Sequence, residues 1–362
     1  MKVALVVGAR PNFMKIAPLA LALRAYPGID LRLVHTQQHY DRTLSDVFFD
    51  ELPLPAPDAV LGVGSGELAD QVATCLTRFA DYLRIDPPDA VVVPGDVNST
   101  LACALAAAQM GIPVIHVEAG LRSFDRGMPE EINRRAVDHL SDVLLTHSPE
   151  ADRNLISEGL GDRHIHLVGN LMIDSLVRVL HRLDDTIARE KFGLPGSYLL
   201  VTLHRPSNVD DVTNVDSIVS QLQSVSLPVL FVMHPRAEQV LDKIDASTRL
   251  ARNGGKLIPP VGYVDFLSLQ LGATGVLTDS GGVQEESTYL GVACLTFRDN
   301  TERPITITEG TNRLIGSDPD DIAPAVSTLP ERRGIAEMAP RYWDGQAGSR
   351  AAQIVTEFLS QR

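Results

Sequence analysis

Cysteine is scarce in this chain: Cys75, Cys103 and Cys294 are the three among 362 residues. None forms a C-x-x-C pair or stands at metal-ligand spacing. That excludes a disulfide framework and fits a reducing compartment in which all three are small buried apolar residues. No HExxH, Walker loop or Cys/His cluster is present, so no metal is expected. Positive charge is also short, since 32 Lys and Arg against 46 Asp and Glu leave a net charge of −14. Such a surface repels phosphate backbones and anionic lipid, which argues against nucleic acid and membrane as partners. An anionic small molecule then needs a locally basic pocket or backbone N–H groups. Long apolar runs are missing as well. No stretch of about 18 apolar residues offers a membrane span. The apolar part of MKVALVVGARPNF is too short for a signal peptide, so a soluble cytoplasmic protein is expected. No repeat with a period of about 20–50 residues is found.

What is present is a regular alternation of short apolar runs and helical patterns. A chain of 362 residues exceeds the usual span of one core, so two domains are expected. Residues 2–8, 31–36, 90–94, 113–117, 143–146 and 165–168 read as strands. Helical patterns lie between them at 18–24, 68–83, 100–110 and 131–140. Near-continuous Val/Ile/Leu strands joined by helices indicate a parallel sheet covered on both faces. After a polar stretch near 181–190 the rhythm restarts, with strands at 198–202, 228–233, 256–258, 275–278 and 292–295. The reading is α/β: two doubly wound domains, residues 1–175 and 176–344, with a final helix at about 345–362 that packs back on the first or belongs to either. Ligands of open α/β sheets bind at the carboxyl ends of strands, so the cleft between two such domains is the expected site.

Unusual polar residues fall repeatedly at strand ends. Gly8-Ala9-Arg10-Pro11 follows the first strand, with Lys15 one turn further on. Glycine permits close backbone approach, and Arg10 and Lys15 offer cations suited to a diphosphate; a plain turn with solvated basic residues is the alternative. GxGxxG is absent. Asp96, after the 90–94 strand, either caps the next helix or presents a carboxylate. Glu118 ends a buried strand, where glutamate needs a partner, and Arg122 is one candidate. Glu130 and Glu131 suit a helix N-terminus electrostatically. Even so, Asp96, Glu118 and Glu131 place three carboxylates around one cleft, and crowded carboxylates are a route to acids and bases that work near neutral pH.

In the second half, His204 follows a strand; a lone histidine is more often structural, but this address suits phosphate contact or proton exchange. Thr278-Asp279-Ser280-Gly281-Gly282-Val283-Gln284-Glu285-Glu286 runs from a strand end through two glycines into a helix, a ready anion site. Glu286, one turn into that helix, is placed to accept both hydroxyls of a ribose. Arg298 and Thr301-Glu302-Arg303-Pro304 add cations at the same mouth.

Together GARPNFMK, PGDVNST, HVEAGLRS, PEEINR, TLHRPSN, DSGGVQEE and TERP resemble the non-hydrolysing UDP-N-acetylglucosamine 2-epimerases, in that family's order from residue 8 to 304. The resemblance implies a GT-B-like pair of Rossmann-type domains with the active site between them, usually in a homodimer, and no added cofactor. It implies that Ser280, Gly281 and Gly282 hold phosphate and Glu286 holds ribose. Phe266 and the 260–261 backbone would border uracil. Arg10, Lys15, His204 and Arg303 would complete the diphosphate site, with Asp96, Glu118 and Glu131 flanking carbon 2 of the sugar. The implied reaction is inversion at carbon 2 through loss and re-addition of UDP, with 2-acetamidoglucal between.

Some positions depart from the family pattern. Gln37 stands where many members have glycine or alanine. Pro206-Ser207-Asn208 replaces Arg-Glu-Asn, and Ile305 replaces a common glutamate. The segment 62–67 lacks an arginine, and Asp41 replaces a glutamine, of the site where some members bind a second, activating UDP-N-acetylglucosamine. A degenerate activator pocket is therefore expected. The rival readings are a 2-epimerase of a diacetamido uronic acid UDP-sugar, a hydrolysing epimerase, a GT-B glycosyltransferase and a catalytically silent UDP-sugar binder.

Overall fold

A computed structural model describes residues 1–8, 10–37, 54–64, 66–194 and 196–362, with Arg10 and Pro11 described in backbone only. The chain divides into two compact units, Met1–Arg178 with Arg341–Arg362, and Val179–Pro340. Among the described residues, no helix is long and apolar enough to cross a membrane.

The first unit is built on strands β1 (Lys2–Val7), β2 (Asp30–His35), β3 (Ala59–Val60), β4 (Ala90–Pro94), β5 (Val114–Ala119), β6 (Val143–Thr146) and β7 (His164–Leu167). They form a parallel sheet in the order β3-β2-β1-β4-β5-β6-β7. Val3, Leu5 and Val7 of β1 and Val91, Val92 and Val93 of β4 are fully buried, as strands covered on both faces must be. Helix Leu68–Ile85 buries Gln71, Cys75, Phe79 and Leu83, one row at four-residue spacing. It packs on the alanine-rich helix Asn98–Gln109, whose small side chains allow close approach and bring the free thiols of Cys75 and Cys103 to 3.8 Å.

The chain ends in this unit. Helix Ala347–Ser360 lies on helix Arg10–Arg24, and a Cβ at Gly348 would meet the Pro18 backbone at 2.8 Å. Buried Asp174 holds the helix start, accepting from Ala347 N at 3.1 Å and Gly348 N at 2.7 Å.

The second unit repeats the plan with β8 (Leu199–Thr202), β9 (Val229–Val232), β10 (Lys256–Ile258), β11 (Gly275–Thr278), β12 (Cys294–Thr296) and β13 (Asn312–Leu314). The order is β10-β9-β8-β11-β12-β13, again parallel. In both sheets the strand order reverses beside the first strand. Loops leaving neighbouring strands there emerge side by side.

Candidate active site

In the first unit Val93 pairs with His116 and Pro94 with Val117, which brings the following residues, Gly95 and Glu118, together. The pairing of β5 with β6 is irregular between Val117 and Ala119, and Glu118 has a φ of +70°. A left-handed backbone is rare for a residue with a side chain, and an irregularity of this kind re-aims one. Glu118 Oε2 forms an ion pair with Lys15 Nζ, and both side chains are buried. Gly95, at φ +64°, lies against this pair. A Cβ there would come within 2.9 Å of Lys15 Nζ and 3.2 Å of Glu118 Oε2, so a side chain at this position would press on the pair.

Asp96 and Glu131 share Arg134. Its Nε donates to Asp96 Oδ2 at 3.1 Å and its Nη1 to Glu131 Oε2 at 3.1 Å. Glu131, in the first turn of helix Pro129–Leu140, also accepts from Ser123 N at 2.8 Å and Ser123 Oγ at 2.9 Å. Asn133 Nδ2 donates to the Asp96 carbonyl at 2.9 Å. The three carboxylates are thus not simply crowded: Lys15 and Arg134 stand among them and offset their repulsion. Arg122, the candidate partner for Glu118, pairs instead with Asp138 and Glu158, each at 2.7 Å.

In the second unit Thr202 pairs with Thr278, so His204 and Asp279 leave adjacent strand ends. Asp279 is wholly buried while the His204 side chain is 38% exposed, which leaves the imidazole within reach of a ligand and the carboxylate behind it. Asp279 Oδ1 lies 2.8 Å from His204 Nδ1. The carboxylate also accepts from His204 N at 3.1 Å, Arg205 N at 2.9 Å and Asn208 Nδ2 at 2.9 Å. Burial alone would push this carboxyl up, but the His204 imidazole, the Arg205 N–H and the Asn208 amide draw it below the usual carboxylate range.

Ser280 stands at the N-cap of helix Gly281–Leu290 but makes no side-chain bond to its first N–H groups. Those N–H groups and the helix dipole favour an anion. At Gly281 a Cβ would come within 2.3 Å of Arg303 Nη1 and 2.9 Å of Glu302 Oε1, so this glycine makes room for a guanidinium. Arg303 Nε donates to Glu285 Oε1 at 2.7 Å, and Nη1 is paired with Glu302. Arg298 Nη2 donates to Glu302 Oε2 at 2.8 Å. The two arginines read as cations at the mouth are buried and held by carboxylates, as buried guanidinium groups must be. Glu286 is buried on the same helix, and Phe266 is half-buried on helix Tyr263–Gly272. The Arg10 side chain and Asp41 lie outside the described residues.

Lys15, Asp96, Glu118 and Glu131 therefore gather in the first unit, and His204, Ser280, Gly281 and Arg303 in the second. Sequence reading missed Arg134 and Asp279 as partners. Arg134 stands three residues after Glu131, a helical spacing that pairs opposite charges. The role of Asp279 becomes visible only with the register of β8 and β11.

Two parallel doubly wound sheets with ligand-type residues at their strand ends define a GT-B-like α/β protein. Residues 21–356 match the profile of the family described as UDP-N-acetylglucosamine 2-epimerase. The UDP-N-acetylglucosamine 2-epimerase of Methanocaldococcus jannaschii is 39% identical over 365 residues, 98% of this chain and 99% of that protein. Its crystal structure in complex with UDP-GlcNAc and UDP matches with a TM-score of 0.90 over 99% of this chain and 100% of that one. The UDP-2,3-diacetamido-2,3-dideoxy-D-glucuronate 2-epimerase of Pseudomonas aeruginosa is 36% identical over 99% of this chain and 100% of its own length. This chain belongs to the UDP-N-acetylglucosamine 2-epimerase family, a family of isomerases.

Proposed function

We propose that this protein interconverts UDP-N-acetylglucosamine and UDP-N-acetylmannosamine by inverting carbon 2 of the sugar. The observation that carries the reading is His204, backed by buried Asp279, beside the Ser280-Gly281-Gly282 helix start. This is an arrangement suited to receiving a departing diphosphate. A carbon-2 proton is weakly acidic, so the carbon 1–oxygen bond breaks early and its electron pair goes to UDP. Helix N–H groups and cations stabilise that charge, each such donor contributing roughly 3–4 kcal/mol. A carboxylate then takes the carbon-2 proton, which leaves 2-acetamidoglucal. A proton delivered to the opposite face, with return of UDP to carbon 1, gives the epimer. Two faces need two proton-transfer groups, drawn from Asp96, Glu118 and Glu131. Arg10, Lys15 and Arg303 serve the diphosphate, Glu286 the ribose and Phe266 the base. The reaction needs no second, activating UDP-sugar.

The relative from Pseudomonas aeruginosa is nearly as similar as that from Methanocaldococcus jannaschii, so a diacetamido glucuronate is the second substrate to test. Comparing kcat/KM for the two UDP-sugars decides between them; a preference for the uronate would overturn the first reading. The same rate curves bear on activation. A hyperbola supports the absence of an activator, and a sigmoid lifted by trace UDP-N-acetylglucosamine contradicts it.

A further inference from the structure

Both turns that carry carboxylates in the first unit leave the sheet through a left-handed residue, Gly95 at φ +64° and Glu118 at φ +70°. The last ladder bond before the first turn is Gly95 N to Val117 O at 2.9 Å. Beyond it the Gly95 carbonyl is met by a side chain, His116 Nε2 at 2.8 Å. The other ring nitrogen, Nδ1, lies 2.6 Å from Asp138 Oδ1. Asp138 in turn accepts from Gly120 N at 3.2 Å, two residues past Glu118, and lies 2.7 Å from Arg122 Nη1. His116 and Asp138 are both fully buried.

A carbonyl has no hydrogen to give, so Nε2 donates to Gly95. Nδ1 is held against Asp138, whose carboxyl also accepts from a backbone N–H and pairs with a guanidinium. One imidazole therefore spans from helix Pro129–Leu140, through β5, to the turn after β4. Packing alone does not call for this. An apolar residue would fill the space between parallel strands without placing polar atoms where each must be satisfied.

We propose that His116 and Asp138 are positioning residues, which hold the turn carrying Asp96 in register with the turn carrying Glu118 through the Gly95 carbonyl. The inference rests on the reading that Asp96 and Glu118 serve carbon 2. Asp96 is the next residue after Gly95, and the Gly95 backbone lies under the Glu118 carboxylate, so a shift of that carbonyl moves both groups.

The test uses H116N, H116Q, D138N and, as control, E118Q in the full chain. Asparagine places its amide where Nδ1 lies and loses the Gly95 bond. Glutamine reaches the Nε2 position and keeps it. A misplacement of about 1 Å costs on the order of 100-fold, so H116N is expected to lose about 100-fold in kcat with KM within about twofold. H116Q should recover at least tenfold of that loss. H116N and D138N should also release a larger share of free 2-acetamidoglucal and UDP per turnover. A purely structural role would lower the unfolding temperature and leave that share unchanged. Wild-type kcat and partition in folded H116N and D138N, with E118Q inactive, overturn the positioning role. An active E118Q overturns the reading beneath it instead. Should the variants not fold, ring nitrogen-15 spectra of wild-type His116 decide: a proton on Nε2 supports the bridge to the Gly95 carbonyl, and an unprotonated Nε2 contradicts it.

Discussion

Replacing Asp279 by asparagine separates what this buried carboxylate does for the fold from what it does for His204. If the new amide oxygen takes the place of Oδ2, it still accepts from Arg205 N and Asn208 Nδ2, each at 2.9 Å in the native chain. The amide NH2 then faces His204 Nδ1, which lies 2.8 Å from Oδ1. That nitrogen must turn from donor to acceptor, and the neutral ring carries its proton on Nε2. The fold loses the charge assistance of these bonds but few of the bonds themselves, a cost of about 1–3 kcal/mol. Because the native carboxyl is held below its ordinary range, its contribution is present above the unfolded value near 3.8 and is lost as pH falls through the lower native value. The stability gap between wild type and D279N should accordingly be full at pH 5 and above and shrink in stronger acid. Catalysis should suffer more than stability. Without the buried carboxylate behind it His204 is a poorer partner for the departing diphosphate, and loss of one such stabilising group typically costs about 10²–10³-fold, so kcat is expected to fall by about 100-fold. Nitrogen-15 spectra of the His204 ring would report the tautomer, and denaturant melts the stability. Unchanged kcat with a reversed tautomer would refute the proposed use of His204.

Three further outcomes follow from the contacts. R134K keeps one charge but cannot span Asp96 and Glu131, so kcat should fall about 100-fold in steady-state assays while KM changes little. G281A brings a Cβ onto Arg303, whose guanidinium is fixed by Glu285 and Glu302 and cannot swing clear freely. Overpacking of this kind costs about 1–3 kcal/mol, to be seen in thermal melts together with weaker UDP binding by calorimetry. Asp174 is pushed up to about 6 by burial, against the Gly348 and Ala347 N–H groups that lower it. The native chain thus binds more protons than the unfolded one between about 3.8 and 6, and this group costs the fold stability as pH rises through that window, about 3 kcal/mol in all. The unfolding temperature of D174N relative to wild type should rise by roughly 5–10 °C between pH 4 and pH 8, and a flat difference contradicts the assignment.

The parallel strands were legible because burial on both faces writes them as unbroken apolar runs, as in Val91-Val92-Val93. Two edge strands were not: β3 has two residues, and β13 reads Asn-Arg-Leu, too short and too polar for a periodicity argument. Helix Asp185–Phe192 lies in a stretch that reads as polar connection, although Asp184 caps it and Gly193 ends it in a left-handed turn. For the site, the motif positions were visible and the partners were not. Lys15 and Glu118 are 103 residues apart, and their meeting depends on which strands lie side by side. The pairing of His204 with Asp279 depends likewise on register. What a linear reading took for a cluster of like charges is an alternating array, because burial selects cations to stand between carboxylates.

The most direct test of the account is proton NMR of the purified protein with UDP-N-acetylglucosamine in heavy water. UDP-N-acetylmannosamine should appear with deuterium at carbon 2, and both epimers should become labelled as the reaction approaches equilibrium. Tight binding of UDP with no new sugar signal, or an epimer that keeps its original proton, would contradict it.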